Sequence, residues 1–148
     1  MQPSFKTYSA IVSVWLGLLC FFTTLQLSAQ EFDLRKAQLD SLMRVPTSGD
    51  ASIDADRFNN IAWEWRYYST DSALYWAYKA YNLSQDIPLR KRQSANTLGA
   101  IYRMRSEADT ALHYYDLAYE LALQASDTTD MARYLNNQSL VYKDIGQL

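Results

Sequence analysis

From about residue 33 onward, apolar residues recur every three or four positions and seldom alternate with polar ones. Spacing of i, i+3, i+4 and i+7 gathers side chains on one face of a helix, whereas a strand needs a period of two. The pattern predicts helices and argues against strands. Polar clusters punctuate it. Pro46, Thr47, Ser48, Gly49 and Asp50 close a first helix over roughly 33–45, marked by Leu34, Leu39 and Leu42. Residues 69–72 and 106–109 divide helices within pairs, and residues 85–88 and 126–130 divide one pair from the next. Ser106, three positions before the acid Asp109, carries a helix-start signature.

The N-terminus has a different pattern. Lys6 is the only charged residue before Glu31, and an apolar run covers 10–22, broken only by Ser13 and Gly17. Small residues follow at Ser28 and Ala29. A basic start, an apolar core and a small-residue site predict a secretory signal peptide over 1–29, cleaved after Ala29. The rival reading is an uncleaved anchor, since 10–27 approaches spanning length. Cys20 is the only cysteine, and Leu19 stands where lipid attachment needs a small residue. The mature chain would then have neither disulfides nor thiolate chemistry.

The remainder repeats itself. Ala95, Leu98, Gly99 and Tyr102, followed by Ala111, Tyr115 and Ala118, spell A-x2-L-G-x2-Y…A-x3-Y-x2-A. Ile61, Ala62 and Trp65 take the same places upstream, with Ala73, Ala77 and Ala80 after them. Leu135, Gln138, Ser139 and Tyr142 begin a third unit, and Gly146 marks its turn. Trp65, Tyr102 and Tyr142 are 37 and 40 residues apart. The physical sense is interlocking: Gly99 and the alanines admit a neighbouring helix, and Trp65, Tyr102, Tyr115 and Tyr142 fill the space left.

These units resemble the tetratricopeptide repeat, whose pattern is W-x2-L-G-x2-Y…A-x3-F…P with a period of about 34 residues. Leu98, Gly99, Tyr102 and Ala111 fit directly, and Tyr115 replaces Phe. The departures are Ala95 for Trp, a missing final Pro and a longer period, which places the extra residues in the second helix or the loop after it. The resemblance implies an all-α solenoid of antiparallel helix pairs forming a right-handed superhelix. Its units would run about 54–90, 91–130 and, incomplete, 131–148, with 30–53 a capping helix and loop. Behind a signal peptide, the stretches 60–66, 94–102 and 135–146 are also similar to the N-terminal periplasmic arrays of bacterial sensor histidine kinases and related regulators. In that family a membrane helix and an output domain follow. The chain then reads as the N-terminal piece of a longer protein.

One recurrence points to a site. Asn59, Asn96 and Asn136 each stand seven residues before a cation, Arg66, Arg103 and Lys143, so each pair shares a helix face. By the resemblance, first helices line a concave groove, and these faces would stack there as a ladder of amides and positive charges. Trp63 and Tyr67 would add an aromatic wall. Amides pair with a peptide backbone and guanidinium groups clamp carboxylates. The competing reading is local: Asn satisfying nearby backbone groups, and cations laying their stems over apolar surface.

Composition narrows the function. The 148 residues include twelve Tyr and four Trp but only four Gly and three Pro. Net charge is −2, and −3 once the segment bearing Lys6 is gone, which argues against a nucleic-acid binder. No phosphate loop, zinc spacing or catalytic constellation stands out, so no enzyme activity, cofactor or metal is expected. His113 is alone, and Glu64 between Trp63 and Trp65 reads as solvated. The expectation is a module that binds a protein or peptide, exported to the periplasm or membrane and forming the sensory part of a regulator. The rival is a free envelope adaptor. A membrane tether at either end and a homodimer both stay open.

Overall fold

The computed structural model describes residues 46–146 continuously, and before them 19, 21–27, 29–31, 33, 34, 36, 37, 39–41, 43 and 44. Most of the segment assigned to the signal peptide lies outside the described residues. The chain divides into two compact units, Met1–Leu42 and Met43–Leu148. In the first, the described backbone is helical, and Leu19, Phe21, Phe22, Leu25, Leu27 and Leu34 are exposed.

From residue 46 onward the described part of the second unit holds five helices: α1 (Ala51–Trp65), α2 (Thr70–Leu83), α3 (Pro88–Met104), α4 (Ala108–Gln124) and α5 (Thr128–Asp144). The fold is all-α, with no strand among the described residues. Each helix starts for a local reason. The Asp50 carboxylate accepts from the backbone N–H groups of Ser52 and Ile53, and Ser69 and Asp127 cap α2 and α5 in the same way. Pro88 opens α3, where its missing N–H costs nothing.

The ends of α3 and α4 share one device. Ser106 and Ser126 adopt left-handed backbone, with φ of 62° and 56°. The N–H of the residue after each reaches back to the Tyr102 or Ala122 carbonyl at 3.0 Å. This is the Schellman closure, usually made with glycine. Ser106 thus ends α3 instead of capping α4, whose N-cap Glu107 makes no side-chain cap bond. A serine hydroxyl cannot serve both roles once its backbone has turned left-handed.

Consecutive helices pack antiparallel. Ala62 meets Ala73 and Ala77, while Phe58, one turn earlier, meets Ala80. Leu98 and Ile101 close the first cluster from α3. Ala95 lies with Ala118, Ala122 and Tyr134, and Ala111 with Tyr115 and Val141. The small residues and rings named from the spacing therefore meet: Ile61, Ala62, Ala73, Ala77, Ala80, Leu98, Gly99, Ala111, Tyr115 and Ala118 are buried, and Trp65 and Tyr102 pack against them. Tyr142 departs from this set. It is 39% exposed, and Val141 takes the inner place beside Ala111 and Tyr115. Its side of α5 has no described helix against it.

α1, α3 and α5 also contact one another along one side, α1 with α3 and α3 with α5. They begin at 51, 88 and 128. The longer second step is spent in helix, since α2 has 14 residues and α4 has 17.

Candidate functional site

Asp56, Asn59, Asn60 and Trp63 stand at i, i+3, i+4 and i+7 and share one face of α1. Gln93, Asn96 and Thr97 hold the matching face of α3, and Arg133 and Asn137 that of α5. Where the three faces adjoin they line an open trough of about 350 Å³. Its walls are mostly carboxamides. Asn137 Nδ2 donates to Asn96 Oδ1 at 2.8 Å, tying α5 to α3. Asn60 Nδ2 lies 3.5 Å from Asp56 Oδ2, a long bond. Asn59 Oδ1 is buried without a hydrogen-bond partner.

The charges at the trough are answered from its rim. Asp56 pairs with Arg90 of α3, whose guanidinium also donates to Gln93 Oε1 at 2.9 Å and Ser52 Oγ at 3.2 Å. Arg133 pairs with Asp130, which sits behind it on α5. The trough therefore presents hydrogen-bonding groups with little uncompensated charge.

Of the residues expected to bind, Asn59, Trp63 and Asn96 line the trough together. The others lie elsewhere, and the ladder of cations does not form. Arg66 is buried at the end of α1, its guanidinium 3.4 Å from the Trp63 ring centroid and 4.0 Å from that of Tyr67. It donates to the Trp63 carbonyl and the Tyr67 hydroxyl. Loss of hydration at this site lowers the Arg66 pKa from its ordinary value. Tyr67 itself is exposed, outside the trough. Arg103 Nε donates to Asp144 Oδ2 at 2.6 Å, at a separate cavity of about 140 Å³ bounded by Ser106 and Val141. Lys143 and Asn136 are exposed and off the trough. Seven residues return to nearly the same helix face, but Arg66, Arg103 and Lys143 stand at helix ends, where a long side chain is free to swing to another partner.

Asn136 fails for a simpler reason. Asn59 faces from α1 toward α3, and Asn96 from α3 toward α5. The next repeat step, of 40 residues, lands Asn136 on the far side of α5, where no described helix adjoins. Asn137, one residue on, faces back to Asn96. Six trough residues were not anticipated: Asp56, Asn60, Gln93, Thr97, Arg133 and Asn137. A signal existed. The steps of 37 and 40 that join the aromatic anchors also join Asp56, Gln93 and Arg133, and Asn60, Thr97 and Asn137.

A second polar cluster lies between α3 and α5. Arg92 is only 5% exposed and its Nη2 donates to Asp127 Oδ2 at 2.9 Å. Its Nε is equally close to Asp130 Oδ2 but is not aligned for a hydrogen bond, so that contact is an ion pair only. The Tyr134 hydroxyl donates to the same Asp130 oxygen at 3.1 Å. Among α2, α3 and α4, the Tyr78 hydroxyl meets those of Tyr102 and Tyr114 at 2.7 and 3.0 Å. Burial drives the Tyr102 pKa up to about 12. The three hydroxyls meet one another, so the rings serve as packing with a satisfied polar tip. His113 stacks edge-on to Tyr114, and Glu64 is exposed. Among the described residues, no three His, Cys, Asp or Glu side chains converge to hold a metal ion.

Compared with protein-family models, curated proteins and solved structures, the chain matches none.

Proposed function

We propose that this chain is a binding module of tetratricopeptide type, a solenoid that holds a protein or peptide partner in the trough across α1, α3 and α5. The observation that carries this reading is the convergence of polar faces from the first helices of two successive pairs and from α5 on one side of the array, built by residues at matching repeat positions. A trough lined mostly by amides and a hydroxyl suits recognition without chemistry.

Export is part of the proposal. Residues 1–29 direct the chain across a membrane and are removed after Ala29. Its support is the charge and apolar pattern, together with the exposed Leu19, Phe21, Phe22, Leu25 and Leu27. No described helix is long and apolar enough to cross a membrane. The module is the sensory part of a regulator, in which partner binding sets the spacing of the helix pairs.

The test combines affinity capture with substitution in the trough. Asn60→Ala and Asn96→Ala together should abolish capture of a partner retained by the unaltered protein, with helical content retained and the melting temperature lowered only as far as the loss of the Asn96–Asn137 hydrogen bond requires. Capture that survives both substitutions would remove the trough from the account. N-terminal sequencing of the secreted protein should begin at Gln30.

A further inference from the structure

We infer that the cavity between the start of α4 and the end of α5 takes a guanidinium group of the kind arginine carries. The site is separate from the trough, and the inference does not use the binding function proposed above.

The repeat contains a filled copy of this junction. Arg105 is the C-cap residue of α3, and Asp71 is the second residue of α2. They form an ion pair that crosses from one helix pair to the other. Nε of the same guanidinium donates to Glu107 Oε1 at 2.8 Å. One step further along the array, Ile145 is the C-cap residue of α5 and Asp109 is the second residue of α4. No cation crosses here. Asp109 is exposed and has no ion pair among the described residues. A cavity of about 140 Å³ remains at the junction, walled by Arg103, Ser106, Ala108, Val141, Asp144 and Ile145.

These walls suit a planar cation on an alkyl stem. Asp144 Oδ2 accepts from Arg103 Nε at 2.6 Å, while its Oδ1 has no partner among the described residues. Asp109, which directly follows the wall residue Ala108, adds a second carboxylate. The Ser106 hydroxyl can accept a further N–H. Carboxylates set around one point match the donors spread around a guanidinium better than the compact head of an ammonium. Ala108, Val141 and Ile145 offer apolar surface to the stem. The helix α5 ends here, and the negative end of its dipole favours a cation. An anion would have Arg103 to attract it, but Asp144 already meets that charge. Lys143 is not part of the wall.

The experiment uses the full chain, with ethylguanidinium, a capped Gly-Arg-Gly peptide, propylammonium and acetate as separate probes. Binding is read by NMR from the methyl signals of Val141 and Ile145 and from the Ala108 amide. Ethylguanidinium should shift all three and saturate in the millimolar range, as expected for so small a ligand. Shifts by the peptide as well would assign the site to an arginine side chain, and shifts by ethylguanidinium alone to a free small molecule; either result upholds the guanidinium. Asp109→Asn should weaken ethylguanidinium about threefold, the usual scale of an exposed pair. Ile145→Arg reproduces the first junction and should abolish binding, read from Val141 and Ala108. Both positions are exposed, so circular dichroism should show an unchanged helical content in each variant. Acetate that moves the same signals more than ethylguanidinium does would make Arg103 the binding group and overturn the inference. Propylammonium that binds as tightly would reduce the site to charge alone and overturn the guanidinium. Binding that persists in Ile145→Arg would place the ligand elsewhere. If no probe moves these signals, the inference falls and the reading of the trough is untouched.

Discussion

Between α3 and α4, Gly99 and Tyr115 share a volume that would not hold a methyl group more. A Cβ built on Gly99 falls 2.8 Å from two carbons of the Tyr115 ring, and that ring is 1% exposed with nowhere to retreat. Gly99→Ala should therefore destabilise the fold by about 1–3 kcal/mol, the usual effect of overpacking. The melting temperature should fall by about 4–8 °C per kcal/mol in a domain of this size. Ser106 and Ser126 present the opposite case. Each holds a left-handed backbone that an L residue adopts at a cost of about 1 kcal/mol, and neither side chain is needed for the closure. Ser106→Gly and Ser126→Gly should each raise stability by about 0.5 kcal/mol, after the added freedom of glycine in the unfolded chain is deducted. Calorimetry on the single and double variants would check sign and additivity. Gly146 already occupies the corresponding position after α5, with φ of 72°.

Among the elements, α3 and its cap hold the array together through arginines. Arg90 reaches Asp56 of α1, Arg105 reaches Asp71 of α2, and Arg92 and Arg103 reach Asp127, Asp130 and Asp144 at the two ends of α5. They are not equal. Arg105 and its carboxylates are substantially exposed, so Arg105→Ala should change stability by less than about 1 kcal/mol. Arg92 and Asp130 are buried. Arg92→Ala would leave Asp130 with Arg133 and the Tyr134 hydroxyl but remove the buried cation between Asp127 and Asp130, and should cost about 1.5–3 kcal/mol in urea unfolding. Pairing Arg92→Met with Asp130→Asn should recover part of that loss, which a double-mutant cycle would resolve. An equal cost for Arg92→Ala and Arg105→Ala would show that burial is not what matters here.

Across the whole molecule, ionisable groups set a pH range for stability. The Asp127 carboxylate accepts the Asp130 backbone N–H and faces Arg92, and Asp54 accepts the Ser48 N–H. Both pKa values lie below the ordinary carboxylate value. A depressed folded pKa gives stability that is present above the unfolded pKa, about 4, and disappears as pH falls through the folded value. Tyrosines bound the other side. Burial raises Tyr102 and Tyr115 to about 12 and raises Tyr78 and Tyr134 as well. Their contribution is complete below about pH 10 and is lost as pH rises toward the folded values. Acid unfolding should begin below about pH 4, followed by circular dichroism. Alkaline unfolding should coincide with a cooperative rise in tyrosinate absorbance above about pH 10, whereas a gradual, non-cooperative rise would mean the phenols are open to water.

Much of this was legible in the chain. The three-to-four residue spacing determined that the protein is helical, and small residues opposite rings determined which helices interlock, as Gly99 with Tyr115 shows. Those properties follow from local geometry, because residues three and four apart lie on one helix face whatever surrounds them. The site was legible only in part. Asn59 and Asn96 were found by recurrence and Trp63 as an aromatic neighbour, yet Asn136 was chosen where Asn137 faces the trough, and three cations were assigned to it that point elsewhere. Residues 127 and 130 read as part of a separator, although they receive Arg92 in a buried cluster. Tertiary structure decided these matters for one reason. Which face of α5 meets α3, and which carboxylate a long guanidinium reaches, depend on distances between helices that are far apart in sequence.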